Sequence, residues 1–362
     1  MMGWINKIIV VWLMLLEPAS AITPLELVEQ IQQHQGKVSF AGRRVQLLTR
    51  QTLSLRATMQ VAYQDDQNYR VVILDPGKLA NVNLWLKENR ANIYFPAENL
   101  LFSNDNPSGA TEFTATILGQ ITTNPDLLYR NYDLQVYSEE TSKASSLVTQ
   151  AAGRDCYILN VTPKSGYLVP GHRYWIAKDN FQILREERTW GADLPPYFQS
   201  FYDEFVPTRE LDLAVRVVPD VNVVELKANS RDNSFVTYRT VPEAEKVLGA
   251  SLWQPTFLPA GFALHGIQLP ILYGSRMTLL SYTDGVNWLY VQYRAKPNLW
   301  VTLLAGAFAL KLVAKFQEIS FQAPYNYYGA EKGEVIVFSY GDLYPEELQR
   351  VGESLQLPAS QR

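Results

Sequence analysis

Apolar and polar residues alternate along one long stretch of the chain, Thr52 to Gln64. Every second residue from Leu53 to Tyr63 is apolar, and the residues between them are polar except for Ala62. A two-residue period places alternate side chains on opposite faces of a β-strand, so this stretch predicts a strand with one apolar face. At about 3.3 Å per residue the strand would be roughly 40 Å long, which suits a large curved antiparallel sheet.

The residues around this strand predict a helix followed by a meander of strands. Thr23, Pro24 and Glu26 form a capping signal for a helix that reaches about Gln35. The alternation changes phase at residues 42–44, which predicts a β-bulge there. Further strands are predicted at Tyr69–Leu74, Asn81–Lys87 and Asn92–Phe95, and helices at Thr111–Gln120 and Pro125–Asn131.

The apolar face of the long strand must be covered, and the two helices after the meander could pack on it. We expect the sheet to curve around a hollow that side chains do not fill, which would bind an apolar ligand. The alternative is that the helices pack this face completely. The residues predicted to line the hollow are Leu53, Leu55, Met59, Val61 and Tyr63, with Val82, Leu84 and Leu86, or else Trp85, from a neighbouring strand.

A second group of strands follows, and then the composition changes. The polar run Ala228–Ser234 predicts a boundary between two domains, residues 22–228 and 240–362. The strands predicted before this boundary are Arg154–Thr162, His172–Ala177, Phe181–Trp190 and Leu211–Val218.

The second domain is predicted to combine strands with short helices. Asp284-Gly285 predicts a two-residue hairpin turn between strands Met277–Thr283 and Val286–Tyr293. The apolar stretch Leu299–Ala314 is too short to span a bilayer, and three interpretations stay open: a buried helix, a pair of strands, or an exposed docking surface. The remaining elements are strands Ala263–Leu269 and Gly333–Tyr340 and helices Pro242–Leu248 and Pro345–Leu355.

The first 21 residues have the parts of an export signal. Lys7 precedes the apolar run Ile8–Leu16, and small residues at 19–21 suggest cleavage after Ala21. We therefore expect a periplasmic protein, with an uncleaved amphipathic anchor as the alternative. A single cysteine, Cys156, excludes internal disulfides and is predicted to be a small buried residue. The net charge of −4, with both signs interspersed, does not favour nucleic-acid binding.

The sequence contains little that supports catalysis or metal binding. Its three histidines, His34, His172 and His265, are far apart, and none has the spacing of a zinc ligand. No motif for a nucleophilic serine, a dinucleotide or a phosphate occurs. Asp203 and Glu204 lie among aromatic residues and could serve as a glycosidase acid, although a second carboxylate would be needed across a cleft. We therefore predict no metal site and no cofactor.

Two sets of short motifs resemble a known superfamily. Tyr157–Lys164, followed by Tyr174-Trp175-Ile176 and Ile183–Glu187, resembles consecutive strands of the LolA-type lipoprotein carriers. The family's usual Asp after the Trp-Ile pair is Ala177 here, with Asp179 two residues later. In the second domain, Pro255–Leu264 and Val337–Leu355 resemble the C-terminal module of RseB/MucB-type sigma-factor regulators.

This resemblance implies an α+β fold and a binding protein rather than an enzyme. The expected architecture is a LolA-like unclosed antiparallel β half-barrel covered by helices, followed by a smaller α/β domain with an antiparallel sheet. The implied function is to hold a lipid, acyl chain or lipoprotein in the concave cavity. The alternative is an envelope-stress regulator of the RseB/MucB kind, which binds the exported segment of a membrane anti-sigma factor. A third hypothesis is an exported hydrolase that uses Asp203 or Glu204.

Overall fold

The computed structural model describes residues 22–50, 53–87, 90–104, 121, 124–137, 148–164, 168–191, 194–218, 220–226, 237–269, 271–272, 275–296 and 326–357. Within these residues the chain is mostly β-structure, with one large sheet, a smaller sheet and a short strand pair. The predicted export signal, the helix predicted at Thr111–Gln120 and the apolar stretch Leu299–Ala314 lie outside the described residues.

The large sheet is formed by the first thirteen strands of the described chain. Its strands are β1 (Phe40–Arg50), β2 (Leu53–Asp65), β3 (Asn68–Asp75), β4 (Asn83–Lys87), β5 (Arg90–Phe95), β6 (Leu100–Asn104), β7 (Tyr132–Tyr137), β8 (Gln150–Ala151), β9 (Arg154–Pro163), β10 (Gly171–Ala177), β11 (Ile183–Thr189), β12 (Phe198–Pro207) and β13 (Asn222–Leu226). The spatial order is β13-β6-β5-β4-β3-β2-β1-β12-β11-β10-β9-β7, and β8 pairs with β9. Because β13 and β7 lie at opposite ends of this order, the sheet is open. Neighbours are antiparallel except for β13 and β6, which are parallel.

The long alternating strand predicted from the sequence is confirmed as β2. Its burial follows the two-residue period, since Ala57, Val61 and Tyr63 are buried while Arg56 and Gln60 are exposed. Strand β2 pairs with β1 on one side and with β3 on the other. The bulge predicted at residues 42–44 is also confirmed, because the register between β1 and β12 shifts at this position.

Helix α1 (Pro24–His34) begins at the capping signal identified in the sequence. The Thr23 hydroxyl accepts a hydrogen bond from the Glu26 backbone N–H (3.3 Å), and the Glu26 carboxylate accepts one from the Thr23 backbone N–H (2.8 Å). These bonds satisfy donors that a helix start leaves free. The helix buries Leu27, Val28 and Ile31. Helix α2 (Pro125–Asn131), which was also predicted, leads directly into β7.

The smaller sheet is antiparallel and is accompanied by two further helices. Its strands are β15 (Ala263–Gln268), β16 (Ile271–Leu272), β17 (Ser275–Thr283), β18 (Trp288–Ala295), β19 (Asn326–Lys332) and β20 (Val335–Gly341), in the order β15-β17-β18-β20-β19 with β16 on β17. A separate pair joins β14 (Gln254–Pro255) to β21 (Leu355–Gln356). Helices α3 (Val241–Leu248) and α4 (Pro345–Glu353) confirm the predicted ones. No helix within the described residues is long and apolar enough to cross a membrane.

Two predictions about local structure are wrong. The turn between β17 and β18 has four residues, 284–287, because Thr283 pairs with Trp288. The Asp284 carboxylate accepts hydrogen bonds from the backbone N–H groups of Val286 and Asn287, which stabilises this longer turn. Residues 211–218 show the predicted alternation of burial but are not assigned to a strand. Alternating burial shows which side chains are shielded from solvent. A β-strand also requires hydrogen bonds between its backbone and a neighbouring strand, which the alternation does not ensure.

The two sheets meet in a shared hydrophobic cluster. Leu27 and Tyr174 from the first part of the chain belong to the same buried cluster as Leu280, Leu289 and Val351 from the second part. The α+β class with a large open sheet is therefore confirmed in its coarse form. The half-barrel shape and the division into residues 22–228 and 240–362 stay predictions.

Candidate functional site

Most of the residues predicted to line a hollow share one face of the large sheet. Val61 on β2 pairs with Val71 on β3, which in turn pairs with Leu84 on β4, so these side chains point to the same side. Val61, Tyr63 and Leu84 are 1%, 0% and 6% exposed and belong to one buried cluster. Met59 packs against that cluster and is only partly buried. The structure therefore brings these four predicted residues together.

Trp85 does not belong to this face. It pairs with Arg70 on β3 and Asn92 on β5, and this row lies on the opposite side of the sheet from Leu84. Of the two alternatives for β4, the apolar face is therefore formed by Leu84 and Leu86 rather than by Trp85. Leu55 is half-buried on the same side as Val61, whereas the Leu53 side chain lies outside the described atoms. A ligand-binding role for these residues stays a prediction.

Side chains of the protein itself pack against the apolar face. The Phe40 ring lies 5.5 Å from the Tyr63 ring and 4.8 Å from the Phe205 ring. Trp175 and Leu184, from β10 and β11, belong to the same buried cluster. Each large apolar side chain buried in this way stabilises the fold by roughly 1.5–3 kcal/mol. In the described residues, this face therefore forms a hydrophobic core.

One buried cation interrupts the apolar face. Arg44 is only 4% exposed and lies opposite Met59 in the β1–β2 register. Its Nε donates to the Ser200 hydroxyl (2.7 Å), and its guanidinium lies over the Tyr202 ring at 5.4 Å from the centroid. The structure provides no hydrogen-bond acceptor for the buried Nη1 group of Arg44 among the residues it describes. A buried donor without an acceptor costs roughly 1–3 kcal/mol.

Of the two carboxylates considered for catalysis, Asp203 is engaged in a structural contact. Asp203 accepts two hydrogen bonds from Arg43 Nε (2.9 and 3.0 Å) and is part of an exposed ion pair. Cys156 is fully buried, which confirms the prediction of a small buried residue. This burial raises the pKa of its thiol to about 12. Within the described residues, no group of three or more His, Cys, Asp or Glu side chains could hold a metal ion.

The turn between β17 and β18 is inserted against the large sheet. Asp284 and Asn287 in this turn are fully buried. The Tyr132 hydroxyl donates to Asp284 Oδ2 (2.6 Å) and accepts from Asn287 Nδ2 (2.6 Å). Burial raises the pKa of Asp284, although its hydrogen bonds oppose that effect. Gly285 has φ +108°, and a Cβ there would lie 2.4 Å from the backbone N of Leu128, so only glycine fits this contact.

A second group of buried charged side chains also joins the two parts of the chain. Arg188 on β11 donates from Nε to Glu186 (2.7 Å) and from Nη1 to Asp342 (2.6 Å), so it bridges a carboxylate from each part of the chain. His172 Nε2 donates to Asn287 Oδ1 (2.9 Å), since an amide oxygen can only accept. Burial by itself raises the pKa of Glu186, but Arg188 and His172 outweigh it and leave that pKa at about 2. We call these residues the junction network: Tyr132, His172, Glu186, Arg188, Asp284, Asn287 and Asp342.

A cleft of about 360 Å³ lies beside the junction network, over strands β9, β10 and β11. Asn160, Arg173 and Glu187 form one cross-strand row along its floor. Arg173 Nε donates to Asn160 Oδ1 (2.8 Å). Trp190 and Leu194 contribute apolar surface. We call this site the β9–β11 cleft, and its main lining residues are Asn160, Arg173, Glu187, Thr189, Trp190 and Leu194.

Sequence reasoning missed both the junction network and the β9–β11 cleft. The available signals were weak: a histidine next to an arginine within an apolar strand, at His172 and Arg173, and polar residues at the solvent-facing positions of neighbouring strands. The sequence indicates Asp284 only as a turn residue. Nothing in the local pattern indicated that this turn packs against Leu128 and Tyr132, which lie more than a hundred residues earlier in the chain.

Comparisons with known proteins bear on the fold. No protein-family model matches the sequence, and curated protein sequences contain no match to it. MucB in complex with MucA(peri) matches with a TM-score of 0.54 and 14% identity, covering 93% of this chain and 100% of that chain. MucB in the Pseudomonas aeruginosa MucA/MucB complex matches with a TM-score of 0.52 and 14% identity, covering 92% and 98%. A LolA superfamily protein from Nitrosomonas europaea covers 55% of this chain and 96% of its own, with a TM-score of 0.23 and 13% identity.

The likeness to MucB includes both the large sheet and the smaller one, because it covers nearly all of each chain. At this level of identity it concerns the fold. For the fold, it confirms the resemblance to RseB/MucB-type proteins that the sequence motifs indicated. Over nearly its whole length, this chain has the fold of MucB.

Proposed function

We propose that this chain is a MucB-type binding protein that recognises a segment of another exported protein, and that it acts by binding rather than by catalysis. The observation that carries the proposal is the extent of the MucB likeness, 93% of this chain and all of that one. A carrier built from the large sheet alone would not need the second sheet. The extra sheet, joined to the first by the junction network, therefore favours partner recognition over lipid carriage alone.

The proposed partner is the exported segment of a membrane anti-sigma factor. MucB has been solved in complex with MucA(peri), and we extend that kind of partner to this chain by analogy of fold. The predicted export signal at residues 1–21 would deliver the protein to the periplasm, where such segments are exposed. The role would then be that of an envelope-stress regulator.

The binding test uses the chain from residue 22 to residue 362. Exported segments of the single-pass anti-sigma factors of the encoding organism are purified and titrated in isothermal titration calorimetry. We expect one of them to bind with a Kd of about 1 μM or tighter and to co-elute in gel filtration. If none of the segments produces heat or co-elution, partner recognition of this kind is wrong.

An apolar ligand on the β2–β4 face is the second candidate function. It is favoured by Leu55 and Met59, which remain only half-buried on that face although their neighbours Ala57 and Val61 are buried. Mass spectrometry of lipid extracted from natively purified protein tests whether an acyl species is present.

A matched pair of variants then places the ligand on the sheet. Met59→Glu puts a charge on the apolar face, whereas Gln60→Glu puts the same charge on the opposite, exposed face. We expect Met59→Glu to weaken the binding of a fluorescent fatty acid and Gln60→Glu to leave it unchanged. Protein that excludes every such probe, or two variants that behave alike, would contradict a ligand on this face.

A further inference from the structure

The β9–β11 cleft combines a fixed cation with an apolar wall. We propose that it is the surface on which the partner segment binds, and that this segment presents an acidic side chain to Arg173 and an apolar side chain to Trp190 and Leu194. The inference rests on the proposed function, because it names the site and the chemistry of the same partner.

The cation is held in place but is only partly neutralised. Asn160 Oδ1 accepts from Arg173 Nε, while Arg173 Nη1 lies 3.8 Å from Glu187 Oε2, which is too long for a hydrogen bond. Glu187 Oε1 instead accepts from Arg185 Nη2 at 2.5 Å. Two arginines thus share one carboxylate, which leaves a local charge of +1. The Arg173 side chain is 38% exposed in the cleft, so its terminal N–H groups can donate to an incoming carboxylate.

The apolar wall contains one aromatic side chain held by ring stacking and leucine side chains that are exposed. Trp190 stacks on Tyr197 and on Tyr344, with ring centroids 5.2 Å and 4.0 Å away, so its position is set by rings from both parts of the chain. Leu194 is 56% exposed, and Leu168, next to the cleft residue Val169, is 66% exposed. Exposed apolar side chains grouped around a concavity are typical of protein-binding surfaces.

The size and floor of the cleft favour a peptide segment over a lipid. A volume of about 360 Å³ is near the lower end of the range for ligand pockets, roughly 300–1,000 Å³, and suits a few side chains. An acyl chain laid over Asn160, Arg173 and Glu187 would cover polar groups without giving them partners, which is unfavourable. A segment with an acidic residue next to an apolar one satisfies both the floor and the wall.

The experiment pans a phage-displayed library of random 12-residue peptides on the chain 22–362. We expect the enriched peptides to share Asp or Glu next to Leu, Ile, Phe or Trp. Arg173→Gln should lower the affinity of these peptides about tenfold, since it removes the charged donor without emptying the cleft. Arg43→Gln is the matched control, because it removes the same charge from an arginine of similar exposure, 45% against 38%, on another strand.

A second pair of variants tests the apolar wall. Leu194→Ser should weaken the same peptides, whereas Leu25→Ser should not, although both leucines are about half exposed, at 56% and 49%. Circular dichroism and melting curves check that all four variants remain folded. Both residues replaced in the controls lie outside the lining of the cleft.

Several outcomes would overturn the assignment of the cleft. These are a failure to enrich any peptide, enriched peptides without an acidic residue, and equal loss of binding in Arg173→Gln and Arg43→Gln. In each case the calorimetry with anti-sigma segments can still succeed, which would show that the protein binds a partner at another surface. If the calorimetry also fails, the proposed function is wrong as well.

Discussion

Replacing Glu186 by glutamine tests whether the junction network holds the two parts of the chain together by charge. The Glu186 carboxylate is 5% exposed and accepts from Arg188 Nε at 2.7 Å. Glutamine keeps the shape of the side chain but removes its charge. Arg188 would retain one carboxylate partner, because its Nη1 still donates to Asp342. The variant therefore weakens the network without leaving the guanidinium unpaired.

The expected magnitude follows from the pKa of Glu186. Burial raises this pKa, but Arg188 and His172 more than compensate, so it falls from 4.5 to about 2 on folding. A shift of this size stabilises the folded state by about 3 kcal/mol at pH 7. Because the pKa is lowered, the stabilisation is complete above pH 4.5 and is lost as the pH falls towards 2. At pH 3, about 2 kcal/mol of it should already be lost.

Urea denaturation at pH 7 and at pH 3, followed by tryptophan fluorescence, measures this contribution. We expect Glu186→Gln to lower the free energy of unfolding by about 3 kcal/mol at pH 7. The difference between wild type and variant should shrink to about 1 kcal/mol at pH 3, since the wild-type carboxylate is then partly protonated.

A double-mutant cycle provides the control for this prediction. Combining Glu186→Gln with Arg188→Gln should reveal a coupling energy of about 2 kcal/mol at pH 7, because the two side chains interact directly. If the free energies of unfolding of wild type and Glu186→Gln differ by the same amount at pH 7 and at pH 3, the reasoning is refuted. Zero coupling between the two positions would refute it too, since the low pKa depends on Arg188.

Three further predictions concern single sites. Gly285→Ala should lower the free energy of unfolding by about 3 kcal/mol or more, because the added Cβ would collide with the backbone of Leu128. Gly153→Ala is the control: it also has a positive φ, +71°, but no atom lies within 4 Å, so it should cost only about 1 kcal/mol, and equal melting temperatures for the two variants would contradict the Leu128 contact. Arg44→Met should leave the melting temperature unchanged or raise it, because it removes a buried N–H donor that has no acceptor within the described structure. A drop of many degrees would mean that the contacts of the guanidinium are required for stability. Cys156 should not react with Ellman's reagent at pH 8 in the folded protein and should react fully in urea, because burial raises the pKa of the thiol to about 12; fast reaction of the native protein would be inconsistent with that burial.

Local sequence signals predicted a helix or strand well where the residues that define the element are close together in the chain. The Thr23–Glu26 capping box starts α1, and the alternation around Val61 defines β2 and its buried face. The same reasoning assigned the turn at Asp284-Gly285 but gave it too few residues. The length of that turn depends on the hydrogen bonds that the Asp284 carboxylate accepts from Val286 and Asn287, and its position depends on the surface it packs against. A two-residue motif shows neither.

The candidate sites were harder to predict. Val61, Tyr63 and Leu84 were grouped correctly because strand periodicity fixes which side chains share a face. Periodicity could not decide between Leu84 and Trp85 on a five-residue strand with apolar residues on both sides. It also could not show that Trp175 and Leu184, from distant strands, pack against the same face.

The sequence by itself determined the long strand β2, the capped helix α1 and, through its motifs, the resemblance to the RseB/MucB-type fold. Tertiary structure decided where the charges meet. Tyr132 and Asp284 are 152 residues apart in the chain, and Arg188 and Asp342 are 154 apart, yet each pair is joined by a hydrogen bond. The β9–β11 cleft likewise exists only because three strands align Asn160, Arg173 and Glu187 in one row. Side-chain patterns encode local periodicity and burial, whereas the partners of a buried charge depend on which surfaces the folded chain brings together.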